Sequence, residues 1–447
     1  MKFRKFGQVL LAAVVSTGMI LGVSSCANDF TVGYVYVTGT APNGGSGGQI
    51  GAYREDNNNG ILRNVVGQPF GSGGTNPVRA IITAGGRFMY VLNAGAQSVD
   101  SSGNITYASG NISLFSIGGY GQLTFQTSYS SQGLGSIRLA ADSTGAHLYV
   151  LDSYAPIGNA SGSIQTVSST QTANFPCLDS TGFYRATGDI TSFAIDPSTG
   201  RLSLVPNQQQ QNLTYFPVGC APVDFHVTPS YIYTVDAGAA SNNDVETIYA
   251  YAVSSSSGQL TQTQNVVLPA APAVDVVSIN ADAGNTHIYL IDATQNTIYP
   301  YTIGTAGALT AINSGPTVNS NSAAGNPQQL ISVTGTPNNF VYVINSGTGN
   351  QTNVGQSDIS GYVLNSTTGH LDNPSLNSPY GNGIPSGAVC IFEDPSNQYI
   401  YVAGSADNTI ALRKLQPQTG ELSLTNKAVA FPTVGTPSWC LATSASH

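Results

Sequence analysis

One strand phrase occurs seven times in this chain. It opens with isoleucine, has an aromatic residue three positions on in six of the seven copies, and leads into a turn ending Gly-x-Leu. The copies begin at Ile50, Ile112, Ile190, Ile248, Ile298, Ile359 and Ile410, and their turns carry Gly60, Gly121, Gly200, Gly258, Gly307, Gly369 and Gly420. A half-buried strand, a tight turn and a fresh apolar start give this pattern. The glycine suits a turn position with positive φ, and the leucine restarts an inward face. A second phrase precedes each copy. It is an apolar strand built on Tyr36, Tyr90, Tyr149, Tyr233, Tyr289, Tyr342 or Tyr401, ending near Asn, Asp or Gly. The tyrosines are 53 to 59 residues apart, except for a step of 84 from Tyr149 to Tyr233.

A period of this size, with an inner strand such as "VRAIITA" before each tyrosine phrase, predicts four strands per repeat and an all-β, seven-bladed propeller. The hydrophobic share of 41% supplies a core large enough for it. The chain enters at "VGYVYVTG" with no inner strand ahead of it and leaves with "PSWCLATSA", which matches inner strands such as "PVRAIITAG". The C-terminal strand is therefore expected to join the first blade, closing the ring and removing a sheet edge. The propeller spans 31–447, and the long step places an insertion at 153–188.

The first residues read as an address. Lys2, Arg4 and Lys5 precede the apolar stretch "VLLAAVVSTGMILGV", which ends in small residues and Cys26. This is a signal-peptide layout over 1–25, followed by a short tether at 26–30. The "VSSC" ending is similar to a bacterial lipobox, which implies lipidation of Cys26, a membrane anchor and a place in the cell envelope, at the outer membrane or facing the periplasm. Export means an oxidising compartment. Four further cysteines, Cys177, Cys220, Cys390 and Cys440, allow three pairings. On the propeller layout, Cys177 in the insertion and Cys220 before an inner strand share one face, where a bond would tether the insertion. Cys390 and Cys440 fall on neighbouring inner strands, where they either lock the closure or serve as small core residues.

Candidate chemistry is sparse. His147 and His287 stand two residues before their tyrosines, where other copies carry Tyr34, Phe88, Tyr231, Phe340 and Tyr399, so they fill an aromatic slot. His370 lies in a turn and His447 is the last residue. Only His226 lies on an inner strand, where it either reaches the central channel or packs between blades. Arg79 and Arg138 occupy equivalent places on consecutive inner strands, each eleven residues before its tyrosine, and could hold an anion. Asp224 and Asp275 are the carboxylates expected to pair with them. "GGSGG" at 44–48 and "REDNNNG" at 54–60 imitate a nucleophile elbow and a calcium loop without the required setting. No metal or cofactor motif occurs. A net charge of −9 with no basic cluster argues against nucleic acid. A monomer is expected.

The inner strand, "YVxN/D", "Ixx[FY]" and "tGxL" units together resemble the lactonase family of seven-bladed propellers, the 6-phosphogluconolactonase-like proteins, and more loosely the YVTN propellers. The resemblance covers about 31–447. In that family one inner-strand stretch reads roughly Pro-His, then ends Asp-Leu-Gly. Here "PVDFHVTPSYIYTVDAG" matches it, with Asp236 and Gly238 retained and Val223 in place of the histidine. The next blade reads Gly-Pro-Arg-His and ends Asn-Glu. Here "AVDVVSI" and "LIDAT" replace it, with Ala293 where the glutamate falls. The resemblance thus implies the fold and carries over no catalytic residue. The expected function is an exported, lipid-anchored binding or scaffold module, with a carbohydrate, lactone or protein as its ligand. The rival is a divergent lactone hydrolase using Arg79, Arg138, Asp224 and His226.

Overall fold

The computed structural model describes residues 30–445 apart from 42–46, 84, 100–104, 157–176, 179–183, 211–212, 237–246, 268–274, 313–316, 319–323, 334–338, 348–356, 373–376 and 426–429. The leader, Cys26, Gly238, His447 and most of the insertion lie outside the described residues. Within them the chain is all-β and propeller-like, with no α-helix and a 3-10 turn at Thr305–Gly307. A representative repeat runs Pro222–Val227, Tyr231–Asp236, Thr247–Val253 and Leu260–Val267, each strand antiparallel to the next. The C-terminal strand Thr436–Ser444 pairs with Thr31–Thr40, and Gly48–Asp56 and Leu62–Asn64 continue that sheet. One element departs from four separate strands per repeat. Leu123–Ala141 is a single 19-residue strand, so it fuses two repeats into one sheet. Its first half pairs with Ser109–Ile117 as an outer strand, and its second half pairs with His147–Tyr154 as an inner one.

The inner strands neighbour one another in sequence order, from Pro77–Ile82 through Leu123–Ala141, Pro222–Val227, Val276–Ala281, Pro327–Ser332 and Ala388–Glu393 to Thr436–Ser444. The last of these again touches Pro77–Ile82. Second strands such as Phe88–Asn93 and Phe340–Asn345 are buried along their whole length, because both faces of each sheet are covered by neighbours.

The two sequence phrases meet at the seams between repeats. The tyrosine of one repeat donates its hydroxyl to the turn-glycine carbonyl of the next: Tyr36 to Gly121, Tyr90 to Gly200, Tyr233 to Gly307, Tyr289 to Gly369 and Tyr342 to Gly420. Tyr401 donates to Gly60, joining the last repeat to the first. These bonds are 2.5–3.0 Å long, and all six tyrosines are buried. A buried hydroxyl without a partner is costly, so each bond holds its seam in register. The glycine is required twice over at Gly200. Its φ is +70°, and a Cβ there would lie 2.7 Å from the Phe88 ring. His147 and His287 take the place of Phe88 against Gly258 and Gly369, as aromatic-slot residues, with their Nδ1 atoms 2.9 and 3.0 Å from Asp142 and Asp282. One seam differs. The Tyr149 hydroxyl is buried without a partner among the described residues, and the Ser192 hydroxyl takes the Gly258 carbonyl instead.

The structure pairs Cys177 with Cys220 and Cys390 with Cys440. The second bond links the inner strand Ala388–Glu393 to the C-terminal strand. At the same seam lies Glu55, fully buried, with Oε1 3.0 Å from the Tyr401 hydroxyl, whose one proton goes to Gly60. Its Oε2 has no donor. It lies beside Asp394, whose carboxylate already accepts from the backbone of Ser396, Gln398 and Tyr399. Burial, reinforced by Asp394, pushes the Glu55 carboxyl up to about 9.

Two tests follow from the seams. Tyr90→Phe should cost about 1 kcal/mol in urea unfolding, whereas Tyr149→Phe should cost nothing; equal losses would remove the hydroxyl as the source of seam stability. Because Glu55 is raised, its contribution is fully present below the ordinary glutamate pKa and is lost as pH rises toward about 9. Glu55→Gln should therefore melt with wild type at pH 4 and above it at pH 8. Parallel pH profiles for the two proteins would refute a protonated Glu55.

Candidate functional site

Every inner strand carries a register shift at the same place. The shifts fall between Pro77 and Arg79, Ser136 and Arg138, Pro222 and Asp224, Val276 and Ser278, Pro327 and Gln329, and Ala388 and Cys390. The C-terminal strand shifts between Pro437 and Trp439. A bulge leaves one residue out of the ladder and re-aims a side chain. Arg79, Arg138, Asp224, Ser278, Gln329, Cys390 and Trp439 are thus equivalent positions.

Three of the four sequence candidates, Arg79, Arg138 and His226, come together with Asn280 and Trp439 in the wall of a cavity of about 390 Å³. These residues belong to five different inner strands, so the cavity occupies the centre of the fold. Thr83, Asp142, Ser143 and Gly145 also line it, which places it toward the turns between first and second strands. That is the opposite end from Cys220 and the insertion.

Asp224 is structural. One carboxylate oxygen accepts from Arg138 Nε at 2.7 Å and from the Phe225 amide at 2.8 Å; the other accepts from the Ile279 amide at 3.1 Å. It therefore ties three consecutive inner strands together. Gln329 does the same further round, its side-chain oxygen accepting from the Ile391 amide at 3.1 Å. Asp275 does not pair with either arginine, contrary to the sequence expectation. It lies outside the strand, and its carboxylate accepts from Thr294.

Arg138 is neutralised by Asp224, and Arg79 is not. Among the described residues Arg79 forms no ion pair, and its guanidinium lies 3.3 Å from the centroid of the Trp439 ring. This is a cation–π stack. Burial, with Arg138 acting in the same direction and Asp224 opposing, pushes its pKa down to about 9, so it stays charged at neutral pH. The Asp142 carboxylate is occupied by Thr144, Ala146 and His147. His226 is half-buried in the cavity wall. Burial is the main influence lowering its pKa, Arg79 adds to it, and Asp224 and Asn285 oppose. Its imidazole is neutral at pH 7.

The site thus presents a fixed cation on an aromatic plane, a second guanidinium already held by a carboxylate, and a neutral imidazole. It is built to receive a small anion or a strongly polarised carbonyl oxygen. Sequence reasoning did not single out Trp439. The signal was present, since matching "PSWC" to "PVRA" sets Trp439 level with Arg79. Among the described residues no group of three or more His, Cys, Asp or Glu side chains could hold a metal ion.

No protein-family model matches the chain, and no curated protein matches it in sequence. Solved structures do. A proposed 6-phosphogluconolactonase from Bacteroides fragilis superposes with a TM-score of 0.61 at 15% identity, covering 94% of this chain and 99% of its own. Another from Bacteroides uniformis gives 0.62 at 15% identity, over 93% and 100%. A periplasmic gluconolactonase from Pseudomonas aeruginosa gives 0.61 at 15% identity, over 93% and 100%. The chain has the fold of the 6-phosphogluconolactonase-like proteins.

Proposed function

We propose that this is an exported, lipid-anchored, seven-bladed propeller of the lactonase-like superfamily, with 1–25 as its signal peptide. It works as a binding module at the cell envelope and takes a small anionic ligand in the central cavity. The closed ring of seven is supported by the pairing of the C-terminal strand with Thr31–Thr40 and by the cyclic order of the inner strands. Export is supported by the two disulfides and by the likeness to a periplasmic gluconolactonase.

The observation that carries the reading is Arg79, a charged guanidinium in the cavity wall with no carboxylate partner among the described residues. Sugar acids and their lactones are the ligand class that fits, with the carboxylate or carbonyl oxygen on Arg79 and the ring against Trp439. Hydrolysis is the weaker reading. Asp224 has both oxygens occupied and cannot activate water, and Val223 and Ala293 replace the family's histidine and glutamate. His226 is the base a hydrolase would have to use.

Trp439 is the only tryptophan in the chain, so its fluorescence reports directly on this cavity. Protein lacking residues 1–26 should show a saturable fluorescence change with gluconate, 6-phosphogluconate or glucono-1,5-lactone. Arg79→Met should weaken it on the order of 10- to 100-fold, the worth of a charge-assisted hydrogen bond. Lactone turnover should not exceed the spontaneous rate. Turnover that disappears in His226→Ala would establish the hydrolase instead, and no spectral change at millimolar ligand would remove the central cavity as the site.

A further inference from the structure

A second cavity, of about 500 Å³, lies on the opposite face, at the seam between the third and fourth repeats. The third repeat contributes Gln210 and Phe216 to it, and the fourth contributes Tyr249, Leu260 and Gln262. Cys220 also lines it, so the Cys177–Cys220 bond fixes one wall. Phe216 and Leu260 are 3% and 2% exposed and form an apolar floor. Gln210 and Gln262 are exposed, and their side-chain amides form no hydrogen bond among the described residues. The two repeats are also linked by glutamines at this seam. The Gln208 amide donates to Gln259, Gln259 donates to the Pro206 carbonyl, and Gln209 donates to Thr261. These bonds hold the mouth of the crevice at a set width.

Among the described residues the cavity offers no accessible charge. Its one ionisable carboxyl among the described residues, Asp236, is 2% exposed, and neither oxygen has a hydrogen-bond partner among them. It is sealed beneath Gly219 and the Tyr249 ring: a Cβ added at Gly219 would fall 1.6 Å from Asp236 Oδ2 and 2.5 Å from Tyr249 Cε2. A ligand here meets amides, an aromatic edge and apolar carbons. Carboxamides both donate and accept, as vicinal hydroxyls require, and an aromatic wall suits the C–H face of a pyranose ring. An ionic ligand would find nothing among the described residues to offset its desolvation. The volume lies within the usual small-ligand range of roughly 300–1,000 Å³.

We infer that this seam crevice is a binding site for a neutral saccharide of one or two rings, held by Gln210 and Gln262 against Tyr249. It is separate from the central cavity and does not depend on the reading given for it.

The test is saturation-transfer NMR on protein lacking residues 1–26, with glucose, galactose, N-acetylglucosamine, maltose, cellobiose and chitobiose as probes. At least one should receive saturation, compete with the others and lose affinity about tenfold or more in Gln262→Ala and Gln210→Ala. Both changed side chains are exposed, so these variants should retain the wild-type melting temperature. Tyr249→Phe should retain binding and Tyr249→Ala should abolish it. Arg79→Met should leave the saccharide signal unchanged. Absence of transfer to every probe at 10 mM would overturn the inference, as would equal transfer in the two glutamine variants. Transfer abolished by Arg79→Met alone would reassign the sugar to the central cavity.

Discussion

The fold depends on a hydrogen bond repeated around it, from a buried tyrosine hydroxyl to the turn-glycine carbonyl of the next repeat. The same glycine lets the aromatic residue two places before that tyrosine settle on its bare backbone. Two sequence phrases 74 to 110 residues apart along the chain, and 341 apart at the closure, are therefore one contact in space. With 8% charged residues, the chain has few ion pairs to orient its sheets. It relies on a directional bond inside an apolar seam, where low local polarity strengthens a satisfied bond and makes an unsatisfied one costly. The third seam, where Ser192 replaces Tyr149 as donor, is the exception, and the same pair of repeats carries the seam cavity.

Because the seams carry orientation, the innermost positions are released from that task. The bulge recurs in all seven inner strands, yet its occupant ranges from arginine through aspartate, serine, glutamine and cysteine to tryptophan. Some occupants still knit the centre together. Asp224 and Gln329 each accept from the backbone of the next inner strand, and Cys390 bonds the C-terminal strand. Arg79 does neither. A half-buried guanidinium stacked on the sole tryptophan adds little to a sheet that its neighbours already hold, which is why the proposed function rests on this position.

The repeat was legible because its cause is local and periodic: tyrosine, glycine and leucine at fixed offsets, each with one structural task. His147 and His287 were legible for the same reason, since a slot filled elsewhere by phenylalanine and tyrosine identifies its occupant as packing. The centre was less legible because it is assembled from residues far apart in the chain. Arg138 and Asp224 met as expected, but Asp275 turned to Thr294, a loop choice that strand patterning does not encode. The fused strand Leu123–Ala141 was equally hidden, because continuity through a connection depends on backbone pairing and not on composition. Trp439 was missed because the terminal strand was matched as a whole and not position by position.

The scarcity of cations has a further consequence inside the molecule. Glu55, Asp152, Asp189 and Asp236 are all buried, with no arginine or lysine beside them among the described residues, and burial raises each. Asp152 and Asp189 face each other across adjacent strands at the root of the insertion; the equivalent pair in the sixth repeat is Asn345 and Asp358, joined by a 2.7 Å hydrogen bond. An acid in the asparagine's place makes that contact only when protonated. Raised carboxyls stabilise the fold below their ordinary pKa and progressively less as pH climbs through the folded value. Asp142 and Asp282 work in the other direction: hydrogen bonds from their turns and histidines hold them low, and their contribution fades only in strong acid. The two sets leave a stability maximum on the mildly acidic side of neutrality, where the buried acids are neutral and the turn acids are still ionised.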